Sequence, residues 1–188
     1  MDATDADAAV DMDSEVPVND AVTAVMEQWA KERPDIDFWP IGVVGRLMRI
    51  SRLWEKEIKD FLAGHDLEPG EFDVLSTLRR SGAPYELTAG AFLKTSLVTT
   101  GAITLRVDRM QAKGLVTRIR DERDRRTVKV RLTDQGLEVI DRVLPLHIAN
   151  EARLLRTLSP QERTRLAAVM SALLQSYGDL PAPPAAGK

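Results

Sequence analysis

The stretch TTGAITLRVDRMQAKGLVTRIRDERDRRTVKVRL, residues 99 to 132, decides the fold of this chain. Its first part carries apolar residues at steps of four and three, which predicts a helix that ends at Gly114. Residues 115–120 and 127–132 have the composition of strands, and apolar and basic residues alternate along the second of them. The six polar residues between the strands, 121–126, predict the tip of a β-hairpin.

The residues before this stretch complete a recognisable order of elements. A short helix is expected at residues 88–93, and residues 94–98 turn the chain into the helix that begins at Thr99 or Thr100. Two short helices joined by a tight turn and followed by a charged hairpin form a winged helix-turn-helix. We therefore predict a mainly α-helical fold with a small β-hairpin wing, in which residues from about 98 to 126 contact DNA.

The distribution of charge favours the same interpretation. Between residues 94 and 131 the chain has eleven basic and four acidic residues, a local net charge of +7, whereas the whole chain carries −3. Such asymmetry indicates a local surface for a polyanion, with acidic surface elsewhere. A solvated charged face would give the same count of charges. The order of elements therefore decides between a surface for a polyanion and a solvated face.

Further helices are expected on both sides of the winged helix, from apolar spacing and capping residues. Their expected ranges are 20–32, 41–63, 69–81, 133–156 and a last helix that follows Ser159. The small winged module cannot cover the apolar faces of the flanking helices, and such faces are usually buried against a partner. A symmetric homodimer is the expected solution, with two recognition helices for a pseudo-palindromic site in double-stranded DNA.

These elements are expected to form one domain with a tail at each end. Residues 1–16 carry six acids and no base, which predicts a disordered acidic tail. The expected ranges are 17–179 for the domain, about 20–63 and 134–178 for its dimerisation helices, about 64–133 for its DNA-binding part, and 180–188 for a flexible C-terminal tail.

Composition argues against several other classes of protein. The chain has no cysteine, and its two histidines, His65 and His147, lie far apart in sequence, so no metal site is expected. It shows no nucleophile with an adjacent base and no glycine-rich phosphate loop, so neither an enzyme nor a cofactor is expected. The acidic start does not resemble a secretory signal, and no apolar run is long enough to span a membrane, so we expect a cytoplasmic protein.

Two sets of side chains are candidates for contact with DNA. Thr99, Thr100 and Thr104 begin the second helix of the motif, where hydroxyl and methyl groups can contact base edges in the major groove. Three arginines at the hairpin tip would lie along the backbone and reach into the minor groove. They are Arg123, Arg125 and Arg126. The alternative for the tip is a solvated turn without a role in binding.

Several motifs resemble the MarR family of regulators. They are DERDRR at 121–126, VRLTDQG at 130–136 and RVDRMQAKGLV at 106–116, and the similarity extends from about Val22 to Tyr177. The resemblance implies an obligate winged-helix dimer, commonly a repressor, that small anionic or phenolic ligands release from DNA.

A closer resemblance is to the PecS and urate-responsive branch of that family. It is carried by EQW at 27–29, ERPDID at 32–37, GEFDVL at 70–75 and LRR at 78–80, together with an additional N-terminal helix. The resemblance implies a urate site formed by a tryptophan, an aspartate and two arginines. The matching residues are Trp29, Asp73, Arg106 and Arg118.

Each of these residues also has a structural interpretation. Trp29 could have a packing role alone, in the core or in the dimer interface. Asp73 could keep a permanent salt bridge with Arg106 or Arg118. Arg118 could instead contact a phosphate. Leu105 departs from the small polar residue that the family often has before the matching Arg106, so a known operator sequence need not carry over. The alternative function is a ligand-independent DNA-binding regulator or an architectural protein.

Overall fold

The structure, a computed structural model, describes residues 19–88, 90–92, 103–120 and 127–180. The chain divides into two compact units, residues 1–53 and 54–188, which are described separately below. The predictions for Thr99, Thr100, the hairpin tip at 121–126 and the tail residues 1–16 and 181–188 concern parts of the chain outside the described residues. Within the described residues, no helix combines the length and the hydropathy that crossing a bilayer would require.

The first unit contains α1 (Ala21–Glu32) and the first part of α2 (Trp39–Ala63). Asp20 caps α1 by accepting hydrogen bonds from the amides of Val22 and Thr23. The Arg46 guanidinium on α2 also donates to Asp20, at 2.8 Å, and so ties the two helices together. This hydrogen bond and those from the amides hold the pKa of Asp20 at about 2, below its ordinary value of 3.8.

The start of α2 was predicted two residues too late. The helix begins at Trp39 instead of Ile41, so Pro40 falls in its first turn. Proline is tolerated there because the first amides of a helix have no partner within the helix. The Asp37 carboxylate accepts a hydrogen bond from the Trp39 amide at 3.1 Å and satisfies one of those amides.

The second unit contains four complete helices and a small sheet among its described residues. In chain order these are α3 (Pro69–Arg80), β1 (Glu86–Thr88), α4 (Ile103–Ala112), β2 (Val116–Arg120), β3 (Val128–Leu132), α5 (Asp134–Leu154) and α6 (Pro160–Ser176). The sheet is antiparallel in the order β1–β3–β2, with Val116 opposite Leu132 and Glu86 opposite Arg131. The predicted mainly α-helical fold with a small β-hairpin wing is confirmed.

One part of the predicted layout was wrong. A short helix was expected at residues 88–93. Thr88 is instead the last residue of β1, and within that range the structure describes only residues 90–92 as helical. The hairpin is therefore part of a three-stranded sheet. A strand of three residues is too short to show a period in the sequence, and pairing with β3 supplies its hydrogen bonds.

The core of the second unit lies where α3, α4 and α5 pack on the sheet. Its fully buried side chains include Leu75, Met110, Val116, Ile140 and Val143. Burial of such side chains stabilises each by about 1.5–3 kcal/mol relative to exposure. This core fixes α4 on one side only, which leaves its other side facing solvent.

Candidate nucleic-acid and ligand-binding site

The recognition helix α4 has a buried and an exposed face. Val107 and Met110 point into the core, whereas Thr104 is exposed and Leu105 is 53% exposed. Their positions follow from the 3.6-residue period of the helix. The helix therefore presents Thr104 and Leu105 outward, as a helix that enters a DNA groove must.

The wing is described up to the last pair of its strands. The β2–β3 ladder extends to the pair of Arg120 and Val128. At the other edge of β3, the Glu86 carboxylate accepts hydrogen bonds from Lys129, at 3.1 Å, and from Arg131. Burial raises the pKa of Glu86, but the hydrogen bonds from Arg131 and Lys129 outweigh it, so the pKa is lowered. Glu86 thus fixes β3 to β1 below the predicted DNA-contacting tip.

Arg118 contacts the recognition helix. Its Nη1 atom lies 2.6 Å from Asp108 Oδ1 and 3.1 Å from Gln111 Oε1. Its Nη2 atom donates to the Thr104 carbonyl oxygen at 3.3 Å. The guanidinium therefore joins β2 to α4.

Arg106 extends from α4 across the first turn of α3. A Cβ atom on Gly70 would lie only 2.3 Å from Cζ of Arg106, so the glycine leaves room for the guanidinium. Arg106 also lines a cleft of about 190 Å³ together with Glu68, Glu71 and Arg109. Asp73 lies one turn beyond Gly70 on α3 and is only 7% exposed. The structure thus places the Arg106 guanidinium against α3, the helix that carries Asp73.

Trp29 lies on α1, in the first unit, whereas the other three predicted ligand residues belong to the second unit. Its ring stacks on Phe38 with 5.7 Å between ring centroids, and the residue is 47% exposed. Phe38, but not Trp29, also lines a groove of about 460 Å³ together with Met26 and Trp39, among others. Trp29 therefore combines partial packing with an accessible indole surface.

Several acids pair with bases between residues 94 and 131, the basic segment, and the sequence patterns did not indicate them. Glu71 is only 2% exposed, and its carboxylate lies 3.0 Å from Lys113 Nζ at the end of α4. Glu68 pairs with Arg109 at 3.3 Å. These pairs join different elements, so no spacing along the chain indicates them. The available signal for Glu71 was its position three residues after Glu68 in the first turn of α3, where a glutamate commonly completes a capping box.

Metal ligation finds no support in the part of the chain that the structure describes. No group of three or more histidine, cysteine, aspartate or glutamate side chains is arranged there to hold an ion. His147 instead packs between Phe61 and Phe72, with its Nε2 atom 3.1 Å from Glu151.

Comparisons with known proteins agree with this geometry. A sequence model of the MarR family matches residues 65–127. PecS of Dickeya dadantii (strain 3937), an HTH-type transcriptional regulator, is 37% identical to this chain over 149 residues, which cover 79% of this chain and 90% of PecS.

Solved structures give the same result for the fold. AbsC, a MarR family transcriptional regulator from Streptomyces coelicolor, is similar with a TM-score of 0.68 and 20% identity, over 77% of this chain and 98% of AbsC. A mutant of MarR from E. coli, complexed with operator DNA, is similar with a TM-score of 0.63 and 25% identity, over 74% of this chain and 99% of that one.

Proposed function

Because this chain belongs to the MarR family and is a DNA-binding transcriptional regulator, we propose that it is a homodimeric repressor that a small anionic ligand such as urate releases from DNA. The observation that carries the proposal is the exposed face of α4 next to a two-stranded wing. The DNA site would be double-stranded and pseudo-palindromic, because a two-fold symmetric dimer presents two identical recognition helices.

Two sets of residues would contact this DNA. Thr104 and the preceding Thr99 and Thr100 would contact base edges in the major groove. The arginines of the wing tip would contact the backbone and the minor groove. They are Arg123, Arg125 and Arg126.

Unburied apolar surface supports the homodimer. Within the second unit, α6 has no buried residue, and Val169, Leu173 and Leu174 are each about half exposed. Exposed apolar area costs roughly 25 cal/mol per Å² relative to burial, so a contiguous apolar helix face favours association. A second copy of the same helix would cover it.

The ligand site would consist of Trp29, Asp73, Arg106 and Arg118. Urate is a flat monoanion at neutral pH, and arginine offers planar bidentate donors while an indole offers a stacking surface. The carboxylate of Asp73 would be repelled by an incoming anion and would shift α3. Since the Arg106 guanidinium lies across α3 at Gly70, the shift would reach the recognition helix.

A second candidate is a regulator that needs no ligand. The Arg118 guanidinium already contacts Asp108, Gln111 and the Thr104 carbonyl, which gives it a structural role in the absence of any anion. In that case Trp29 would serve packing alone.

Fluorescence anisotropy distinguishes the two candidates. The wild-type protein would first select a duplex from a random-sequence library, and urate would then be titrated to millimolar concentration. We expect urate to release the DNA and to raise the melting temperature of the free protein, and Trp29→Ala to abolish both effects. If millimolar urate changes neither the DNA binding nor the melting temperature of the wild type, the result would support the ligand-independent regulator.

The same assay tests the wing. Arg125→Ala and Arg126→Ala should weaken binding, and each lost phosphate contact should reduce the slope of log affinity against log salt by about one. Arg163→Ala, which removes an exposed arginine of α6, is the matched control and should bind like the wild type. Unchanged affinity in the wing variants would show that the tip makes no contact.

A further inference from the structure

One arginine of the wing spans two turns of the recognition helix. The Arg118 guanidinium reaches the Thr104 carbonyl, the Asp108 carboxylate and the Gln111 amide oxygen. These three positions are four and three residues apart, so they lie on one face of α4. A single side chain of β2 therefore links two successive turns of α4 to the wing.

The contact also changes the charge that the helix offers to solvent. The Asp108 side chain is 52% exposed, and a carboxylate at that position would repel DNA phosphates if it had no partner. With the side chain of Arg118 only 32% exposed and 2.6 Å away, the charge of Asp108 is largely offset. A half-exposed ion pair contributes little to folding stability, so its effect falls mainly on geometry and local charge.

We infer that Arg118 is a positioning residue, which holds the recognition helix against the wing and masks the charge of Asp108 from DNA. The inference rests on the proposed function, since it concerns how this helix meets DNA. An anion that bound the Arg118 guanidinium would also leave the Asp108 carboxylate without its partner. Binding of a small anionic ligand and binding of DNA would therefore oppose each other through this one side chain.

A direct phosphate contact is the competing role for Arg118. Three acceptors of α4 already occupy both of its terminal nitrogens. Arg120 lies two residues further along β2, on the same side of the strand, and is exposed. Arg120 is therefore the matched control for the loss of one positive charge from this strand.

A double-mutant cycle tests the inference in the full-length protein. Arg118→Gln, Asp108→Asn and the double variant would be titrated against the duplex selected by the wild type, at one fixed salt concentration. We expect Arg118→Gln to weaken binding about tenfold, as for residues coupled through a contact. We further expect Asp108→Asn to restore most of that loss, and to improve binding far more in the Arg118→Gln background than in the wild type.

The control cycle replaces Arg118→Gln by Arg120→Gln, where the effect of Asp108→Asn should be additive. Additive effects in the Arg118 cycle as well would overturn the inference but leave DNA binding intact. A wild-type protein that enriches no duplex would instead contradict the proposed function. Melting temperatures would establish that the variants are folded, and Arg118→Lys, which keeps the charge but lacks the planar fork, would replace Arg118→Gln if that variant is unfolded.

Discussion

Gly70 is the residue on which the geometry of Arg106 depends. The absence of a side chain at this position in the first turn of α3 lets a guanidinium lie against the helix backbone. Any larger residue would force the flexible end of Arg106 away, without altering the chemistry of the arginine itself. The position therefore offers a way to move Arg106 without removing it.

Replacing Gly70 by alanine should weaken the response to urate. The new Cβ would lie 2.3 Å from Cζ of Arg106, so the guanidinium must leave its place on α3. We expect the urate concentration for half-release of DNA to rise about tenfold, which corresponds to a loss of about 1.4 kcal/mol. Folding stability should change by less than about 1 kcal/mol, because alanine favours helix more than glycine does.

The measurement is a urate titration of the DNA complex followed by anisotropy, with thermal melting in parallel. Gly90→Ala is a suitable control, because among the described residues no atom outside its own helical turn lies within 4 Å of a Cβ at that position. A response equal to that of the wild type would mean that the position of Arg106 does not matter for the ligand.

At this scale the sequence identifies residue types better than their partners. The basic character of residues 106 to 118 was evident, yet the acid that faces Arg118 was not, because Asp108 and Arg118 lie on a helix and a strand. The resemblance implies a place for Arg118 in a ligand site, and the structure adds contacts with the recognition helix that no sequence pattern indicated. Pairing between elements depends on tertiary packing, which no local pattern contains.

Among the elements, the start of α5 packs directly against the residues that lead into β2 of the wing. The Thr133 hydroxyl caps α5 by accepting from the Gly136 amide and donates to the Gly114 carbonyl. A Cβ on Gly136 would lie 2.0 Å from the carbonyl oxygen of Leu115. Helix α5 therefore sits directly against the chain that enters β2, with only a glycine at the contact.

Gly136→Ala should destabilise the protein. The clash is with a backbone oxygen, which cannot rotate aside as a side chain can, so overpacking of this kind should lower the free energy of unfolding by about 1–3 kcal/mol. Urea denaturation at fixed protein concentration would measure the loss. Gly90→Ala again serves as the control in open space, and equal midpoints for the two variants would contradict this account.

The elements with a clear period or cap were predicted closely. Thr133 caps α5 and Ser159 caps α6, and Glu162 completes a capping box with Ser159. Strand β1 was not foreseen, because its three residues are held by β3 and not by their own pattern. Short elements that have no period of their own and are defined by pairing with a neighbour are the ones that the sequence does not reveal.

For the whole molecule, the exposed apolar face of α6 is the feature that the single chain does not explain. Its capping box and length favour a stable helix, yet none of its side chains is buried. Helices of this kind gain most of their stability from packing, not from intrinsic propensity. A dimer would give α6 the packing that one chain lacks.

Leu173→Glu should therefore weaken dimerisation. Sedimentation of the wild type at micromolar concentration is expected to give twice the chain mass of 20.9 kDa, and the variant should shift towards the monomer. Leu105→Glu is the matched control, since that leucine is also about half exposed but lies on the recognition helix. A wild-type monomer, or a variant that dimerises as well as the control, would contradict the proposed arrangement.

The ion pairs of the basic segment affect how the regulator would be distributed along a chromosome. Of its seven described bases, five have an acidic partner, namely Arg109, Lys113, Arg118, Lys129 and Arg131. Bases that are already neutralised add little to sequence-independent attraction, which is what retains a protein on the vast excess of competing sites. A small number of copies per cell should then suffice to occupy the operator.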